Sequence, residues 1–402
     1  MTAHLWTDAA VVGGGAAGLS LAHRLAEAGA AGVTVIEPPD GPSRPADRTW
    51  CYWHAEADGL EDAVSASWSV LRVHGADGRP VTVDPAPFTY RMVRSADFER
   101  LVHGRLARED GGHVLRATAD TVRSVPGGAE VRCTLPEGGT VTLRARRVFD
   151  SRPLPAAPPA RTRLLQHFRG WFVRTTTDRF DPAVADLMDF RVPQPARGLA
   201  FGYVLPLARD RALVEYTEFS RKPLTVQAYE TALGHYCRDV LRLGALTVER
   251  TEQGVIPMTD ARFPHRAGPS VFRIGTAGGA TRPATGYTFA AVQRQSRAIA
   301  AGLRDGRWSV PVPHRRRALA MDAIVLRALD TGRIDGPDFF TGLFRRVPTA
   351  RLLRFLDGTA SLGEEWGIGL RTPVLPMLAT AAELPFLPRR SRPLARDGES
   401  PR

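Results

Sequence analysis

The sequence is poor in cysteine, nearly devoid of lysine, and lacks any long apolar run. Its three cysteines, Cys51, Cys133 and Cys237, lie far apart and have neither paired nor metal-ligand spacing. That sets aside a disulfide framework and a cysteine-built metal site, and it points to a reducing compartment. No stretch of about 18 uncharged apolar residues occurs, so no helix is expected to span a bilayer. The first apolar segment is led by Asp8 and reads as part of a folded unit, so no secretory leader is expected. A basic stripe with interleaved aromatics is also missing, which sets nucleic acid aside as a partner. Lys222 is the single lysine, yet the formal net charge is +12. This arginine bias has two readings: the codon usage of a GC-rich genome, or attraction to anionic lipid headgroups.

What is present is ample material for a core. A chain of 402 residues, 43% of them hydrophobic, accommodates two domains or one large domain with insertions. Its first recognisable unit is an apolar strand ending at Val12, then Gly13-Gly14-Gly15-Ala16-Ala17-Gly18, a helical run to Gly29, and a second strand, Val33 to Glu37. Gly13 permits a tight turn, Gly15 lets backbone approach a pyrophosphate, and Gly18 lets the helix lie close to the sheet. With Ala16 they open a helix whose free N–H groups and dipole favour phosphate. Glu37 closes the second strand, where a carboxylate accepts from ribose hydroxyls. Two prolines rather than arginine follow it, which argues against a 2′-phosphate. FAD or NAD(H) remains, and the early position of the unit, as in many two-domain flavoproteins, favours FAD by analogy.

Further along, Trp50, Tyr52 and Trp53 crowd one short segment, either a core corner or a wall beside a flavin or apolar substrate. A strand from Tyr90 leads to Arg94, within reach of cofactor phosphates, and to a helix capped by Ser95 or Asp97. Residues 113–125 and 131–149 alternate like antiparallel strands. A Pro- and Ala-rich run to Arg161 marks a domain crossing. Strands are expected at 166–173 and 188–191, and a hairpin at 201–207 and 212–217, followed by a helix from Val226 to Leu241. Val271 to Gly275 is a second buried strand entering a small-residue loop with Gly275, Gly278, Gly286 and Tyr287, then a helix to Leu303. Such a loop suits the ribityl chain and ring edge of a flavin. Residues 314–357 read as helical throughout, residues 366–388 as apolar but proline-broken, and the tail from Arg389 as disordered. The expected fold is α/β. Residues 1–160 and 263–305 form a Rossmann-like FAD-binding domain, 161–262 a β-sheet substrate domain, 306–388 a helical, membrane-contacting region, and 389–402 a tail.

Together, Arg48 to Trp53, Met188 to Arg191, Gly202 to Pro206, Leu213 to Thr217, Gly275 to Gly279 with Pro283 and Gly286-Tyr287, and Met321 to Leu329 resemble bacterial lycopene cyclases of the flavoprotein type. The resemblance covers the chain to about residue 380. It implies a glutathione-reductase-like FAD fold, FAD reduced by NADPH or NADH, and a non-redox closure of the acyclic ends of lycopene, or a close relative, into β-ionone rings. It implies a cytoplasmic enzyme held peripherally at a membrane surface. The family's acidic motif carries over onto Glu215 as the proton donor. Plant relatives have two adjacent acids there; this sequence has Tyr216 in the second place. Alternation puts Glu218 on the opposite face, as a solvated acid. Trp50, Trp53, Tyr203, Tyr216 and Tyr287 are the candidate pocket aromatics, able to stabilise a carbocation. A redox flavoenzyme acting on an isoprenoid, such as a monooxygenase, is the alternative. Many hydroxylases of this fold place Asp soon after the late glycine, where this chain has Thr276-Ala277.

Overall fold

His4–Val12 runs into the glycine turn, the helix Ala16–Glu27 follows, and Val33–Glu37 pairs parallel to the first strand. The computed structural model describes residues 4–30, 32–41, 44, 46–108, 112–305 and 309–392. The turn closes as its glycines require. Gly13 has φ +104°, and a Cβ at Gly18 would overlap the Gly13 carbonyl oxygen.

This unit sits in an eight-stranded sheet. His4–Val12 lies between Val33–Glu37 and Thr140–Asp150, both parallel to it, and Val271–Arg273 adds parallel to the latter. Residues 113–125 depart from expectation. They divide at the buried Ala117 into Gly112–Arg116, which pairs parallel to Val33–Glu37, and Thr118–Val125, which pairs antiparallel with Gly128–Thr134. Alternation reports a half-buried strand but not the direction of its partner.

A second sheet has seven strands, in the order Leu246–Thr259, Arg163–Thr175, Arg211–Ser220, Leu199–Pro206, Val184–Asp189, Val70–His74 and Pro80–Val83. The last two come from the segment assigned above to the first domain, so the chain crosses to this sheet and back before residue 160. Between the sheets lies a small one of Val64–Trp68, Thr89–Arg94 and Thr49–His54. Thr49–His54 sends alternate side chains into two cores: Tyr52 with partly buried Trp50 against Phe289 and Phe98, and Trp53 with partly buried Cys51 toward the second sheet.

Alternation also separates the two faces of the second sheet. Val214 and Tyr216 pack with Val173 under the helix Val226–His235, which continues as a single π turn, Tyr236–Val240. Leu213 and Phe219 face the other way, into a core shared with the C-terminal helices and with Trp68 and Tyr90. The region expected to be one helical run is three helices, Arg316–Thr331, Gly336–Arg346 and Thr349–Leu356. Gly332, at φ +68°, ends the first, and Pro348 precedes the third. Leu362–Gly369, which opens with a Ser361/Glu364 capping box, and Val374–Glu383 complete the layer.

Two ties hold this layer down. Arg282, in the late glycine loop, is buried and donates to Asp322 Oδ1 at 2.7 Å. At the far end Arg390–Arg392 pairs antiparallel with Ala157–Ala160, and Arg389 donates to the Asp260 carbonyl at 2.7 Å. The expectation of disorder from Arg389 is therefore corrected for residues 389–392; residues 393–402 lie outside the described residues. The cap of Ser95–Leu106 also differs. The N-cap is Arg94, and Ser95 Oγ instead accepts from the Arg48 N–H at 2.9 Å.

Candidate active site

The nucleotide half of the site is a backbone cradle. The helix Ala16–Glu27 starts without a side-chain cap and without an acid in its first turn, so its N–H groups and dipole are free for an anion. No atom lies within 4 Å of where a Cβ of Gly15 would be. Gly275, at φ +64°, meets this helix: its Cβ would be 2.7 Å from that of Ala17. The early and late glycine segments thus converge, and Gly278 sits in the 3-10 turn that follows. Glu37 is buried at the strand end, 3.0 Å from His103 and 3.1 Å from Arg116. These residues fit the pyrophosphate and ribose of a dinucleotide.

The loop continues over the second sheet. Gly286, at φ +72°, comes so close to Gln166 that a Cβ there would overlap Gln166 Oε1, an oxygen buried without a protein partner. Gln166 is on Arg163–Thr175, on the face that also carries Gly170. The late loop and the Glu215 face of the sheet are therefore brought together.

Glu215 is on Arg211–Ser220, in register with Tyr203 on one neighbour and Gly170 on the other. It is partly buried, on the face of the sheet that carries Gly170. Its carboxyl accepts from Thr217 Oγ1 at 2.6 Å. Burial, reinforced by the negative charge of Glu252 and opposed by the threonine, pushes its pKa up to about 8. A neutral carboxyl at neutral pH, among apolar and aromatic neighbours, is a proton donor in waiting.

Tyr203 and Tyr287 are partly open, and burial raises both phenol pKa values. Tyr287 meets Trp53 edge-on, with centroids 4.7 Å apart, and the Tyr203 hydroxyl bonds that of Tyr90. Tyr90 and Trp68, fully buried, back this cluster. Neither was singled out from the sequence, where each is one aromatic in a short strand. Cys51 is a hydrogen-bonding neighbour of Tyr203, and burial raises its thiol pKa.

Two expected pocket residues are elsewhere. Tyr216 points to the opposite face of the sheet, under Val226–His235, because adjacent strand residues diverge. Trp50 stacks on Phe289 at 5.6 Å, in the core of the nucleotide half. Glu218 does lie on the face opposite Glu215, but it is not solvated: it is buried beside Tyr216 and His167. Arg94 lies in register with Thr49, near Glu252 and Arg250, with its Nε buried and unpartnered. Glu252, which carries no sequence motif, lies opposite Gly170 on Leu246–Thr259.

Solved structures of similar fold are flavoproteins and their relatives. A geranylgeranyl bacteriochlorophyll reductase-like protein from Thermoplasma acidophilum is 15% identical over 96% of this chain and 100% of its own, with a TM-score of 0.64. A flavoprotein/dehydrogenase from Cytophaga hutchinsonii is 14% identical over 94% of this chain and 100% of its own, also at 0.64. The rebeccamycin biosynthetic enzyme RebC with reduced flavin is 18% identical over 94% of this chain and 76% of its own, at 0.58. At such identities the likeness is one of fold. A comparison with curated protein sequences gives no significant match. A family profile described as "Lycopene cyclase protein" matches residues 8–382. The chain belongs to the lycopene cyclase family.

Proposed function

We propose that this protein closes the acyclic ends of lycopene, or of a close acyclic carotene, into β rings, with Glu215 as the proton donor and FAD as the resident cofactor. The observation that carries this reading is a glutamate carboxyl, Glu215, on the sheet face that the late glycine loop covers. Ring closure begins with protonation of a terminal trisubstituted alkene, a very weak base. It needs an acid that still holds its proton when substrate arrives and is not levelled by water. Glu215 meets both needs. Trp53, Tyr203 and Tyr287 cluster on the same side of the sheet, where their π faces and edges would stabilise a carbocation and limit its hydration.

Gly13, Gly15, Ala16 and Gly18 would hold the pyrophosphate, Glu37 the ribose, and Gly275, Gly278, Gly286 and Tyr287 the flavin end. FAD held by these residues and reduced by NADPH or NADH would supply negative charge favourable to a developing cation, in a reaction with no net redox change.

The substrate is insoluble, so the protein must meet a membrane. No helix among the described residues is long and apolar enough to cross one. The C-terminal helices instead expose Trp366 (74%), Leu375 (79%) and Phe386 (87%), with Leu370 and Leu378 beside them. The guanidinium groups of Arg351 and Arg371 flank Gly367 on the same surface. An apolar patch rimmed by arginine supports peripheral docking on anionic lipid.

The test is anaerobic incubation of the purified, reduced flavoprotein with lycopene in vesicles, followed by pigment separation. Wild-type protein is expected to form monocyclic and bicyclic products. Glu215→Gln is expected to form none while keeping its flavin absorbance. Ring formation by the Gln variant would refute the acid assignment, and a strict requirement for oxygen would favour a redox flavoenzyme.

A further inference from the structure

Glu215 has a counterpart on its own sheet face. Cross-strand register sets Glu215 opposite Gly170, and Gly170 opposite Glu252 on Leu246–Thr259. Residues directly opposite one another share a face, so the two glutamates project from the same side, two strands and roughly 10 Å apart at Cα. The position between them carries no side chain. A Cβ at Gly170 would lie 2.8 Å from Leu213 Cδ1, 3.3 Å from Glu252 Cγ and 3.7 Å from Glu215 Cβ, so both glutamate side chains flank Gly170, with the Leu213 methyl packed over it.

Their hydrogen bonding matches, but their surroundings differ. Thr217 donates to Glu215, and Thr49 to Glu252, each at 2.6 Å. Glu215 is near Cys51 and Tyr203. Glu252 also has Cys51 nearby, but feels Arg250, Arg48 and Arg94 as well. Arg48 donates to the Gln253 carbonyl, and Arg250 lies over Phe172, 3.6 Å from Asp47. Burial raises both glutamate pKa values. That of Glu252 stays raised although the Thr49 hydrogen bond and then Arg250, Arg48 and Arg94 oppose the rise, whereas Glu252 pushes that of Glu215 further up. Paired carboxyls with divergent environments are how one site holds an acid and a base together.

Cyclisation needs both. We propose that Glu252 is the second catalytic carboxyl, which accepts the proton released on ring closure and returns it to Glu215 along the sheet face that the two share. This rests on the function proposed above. In the first step the Glu215 O–H bond breaks and a C–H bond forms at the terminal alkene. A neighbouring alkene then supplies the electron pair of the new ring bond. Finally a ring C–H bond breaks, its electrons become the ring double bond, and the proton passes to the Glu252 carboxylate. Proton transfer from Glu252 to Glu215 restores the starting state, with one proton taken up and one released and no oxidant consumed.

The experiment compares wild type, Glu252→Gln and Glu252→Asp in the reduced-flavin vesicle assay across pH. The acceptor must be ionised and the donor protonated. The wild-type rate should therefore fall on the acid side with Glu252 and on the alkaline side with Glu215. Glu252→Gln should slow ring formation by about 10²- to 10⁴-fold, lose the acid-side fall, and keep its flavin. Glu252→Asp should recover part of the rate with the acid-side midpoint displaced. Wild-type rate in the Gln variant, or a slower rate with an unchanged pH profile, overturns the assignment. Should the Gln variant fail to fold, an unmoved acid-side midpoint in Glu252→Asp overturns it equally. If wild-type protein closes no rings, the parent reading falls instead.

Discussion

Glu215 keeps its proton because the folded protein penalises its charge, and that penalty has a measurable sign. Its folded pKa of about 8 lies above the ordinary 4.5, so the folded state binds the extra proton between those values. Stability linked to this group is fully present below the ordinary value and is lost progressively from there until pH has risen through about 8. Glu215→Gln removes the ionisation. The variant should therefore melt a few degrees above wild type at pH 9 and close to it at pH 4. An equal difference at both values would mean that Glu215 does not titrate in this range. At this scale the sequence was legible unevenly. Glu215 stood out only through a family motif, since one glutamate in a strand is ordinarily a surface residue. Glu252 had no motif, and only register across three strands reveals it. Tyr216 was misassigned although local alternation already separates residue 216 from 215. Its place beside the motif residue outweighed the pleat.

The elements that were legible are those whose signals are local. The strand, glycine turn and helix at 4–27 announce themselves because each glycine answers a steric demand within its own unit. So does the hairpin Leu199–Pro206 and Arg211–Ser220, whose two halves are adjacent in the chain. The pairing of Val70–His74 with Val184–Asp189 was not legible, because no short-range pattern encodes a partner so distant. Nor was the attachment of the C-terminal helices. Asp322 lies within a motif shared with the family, but its role here is to neutralise the buried Arg282. Burial still raises the Asp322 pKa to about 6 despite that partner. Replacing the aspartate leaves a guanidinium without its counter-charge in the interior. Asp322→Ala should cost about 3–5 kcal/mol of stability, read as a lower denaturant midpoint. A change under about 0.5 kcal/mol, the scale of a surface substitution, would show that the pair does not anchor the helices.

For the whole molecule the distribution of charge and apolar surface sets the partner. Composition disclosed the net charge of +12 but not where the apolar side chains lie. The exposed Trp366 and Leu375 belong to two short helices whose outward faces are decided by tertiary packing. Trp366→Glu combined with Leu375→Glu should abolish most co-sedimentation with vesicles containing anionic lipid, leaving flavin content and melting temperature unchanged. Undiminished sedimentation would remove this surface from the docking face.

The helical layer above the Glu215 face is pinned on one side by Arg282 and Asp322, and on the other by the short strand Arg390–Arg392 against Ala157–Ala160. A cover fastened at opposite margins does not swing open like a door. Moving it aside would break a buried ion pair or unpair a strand.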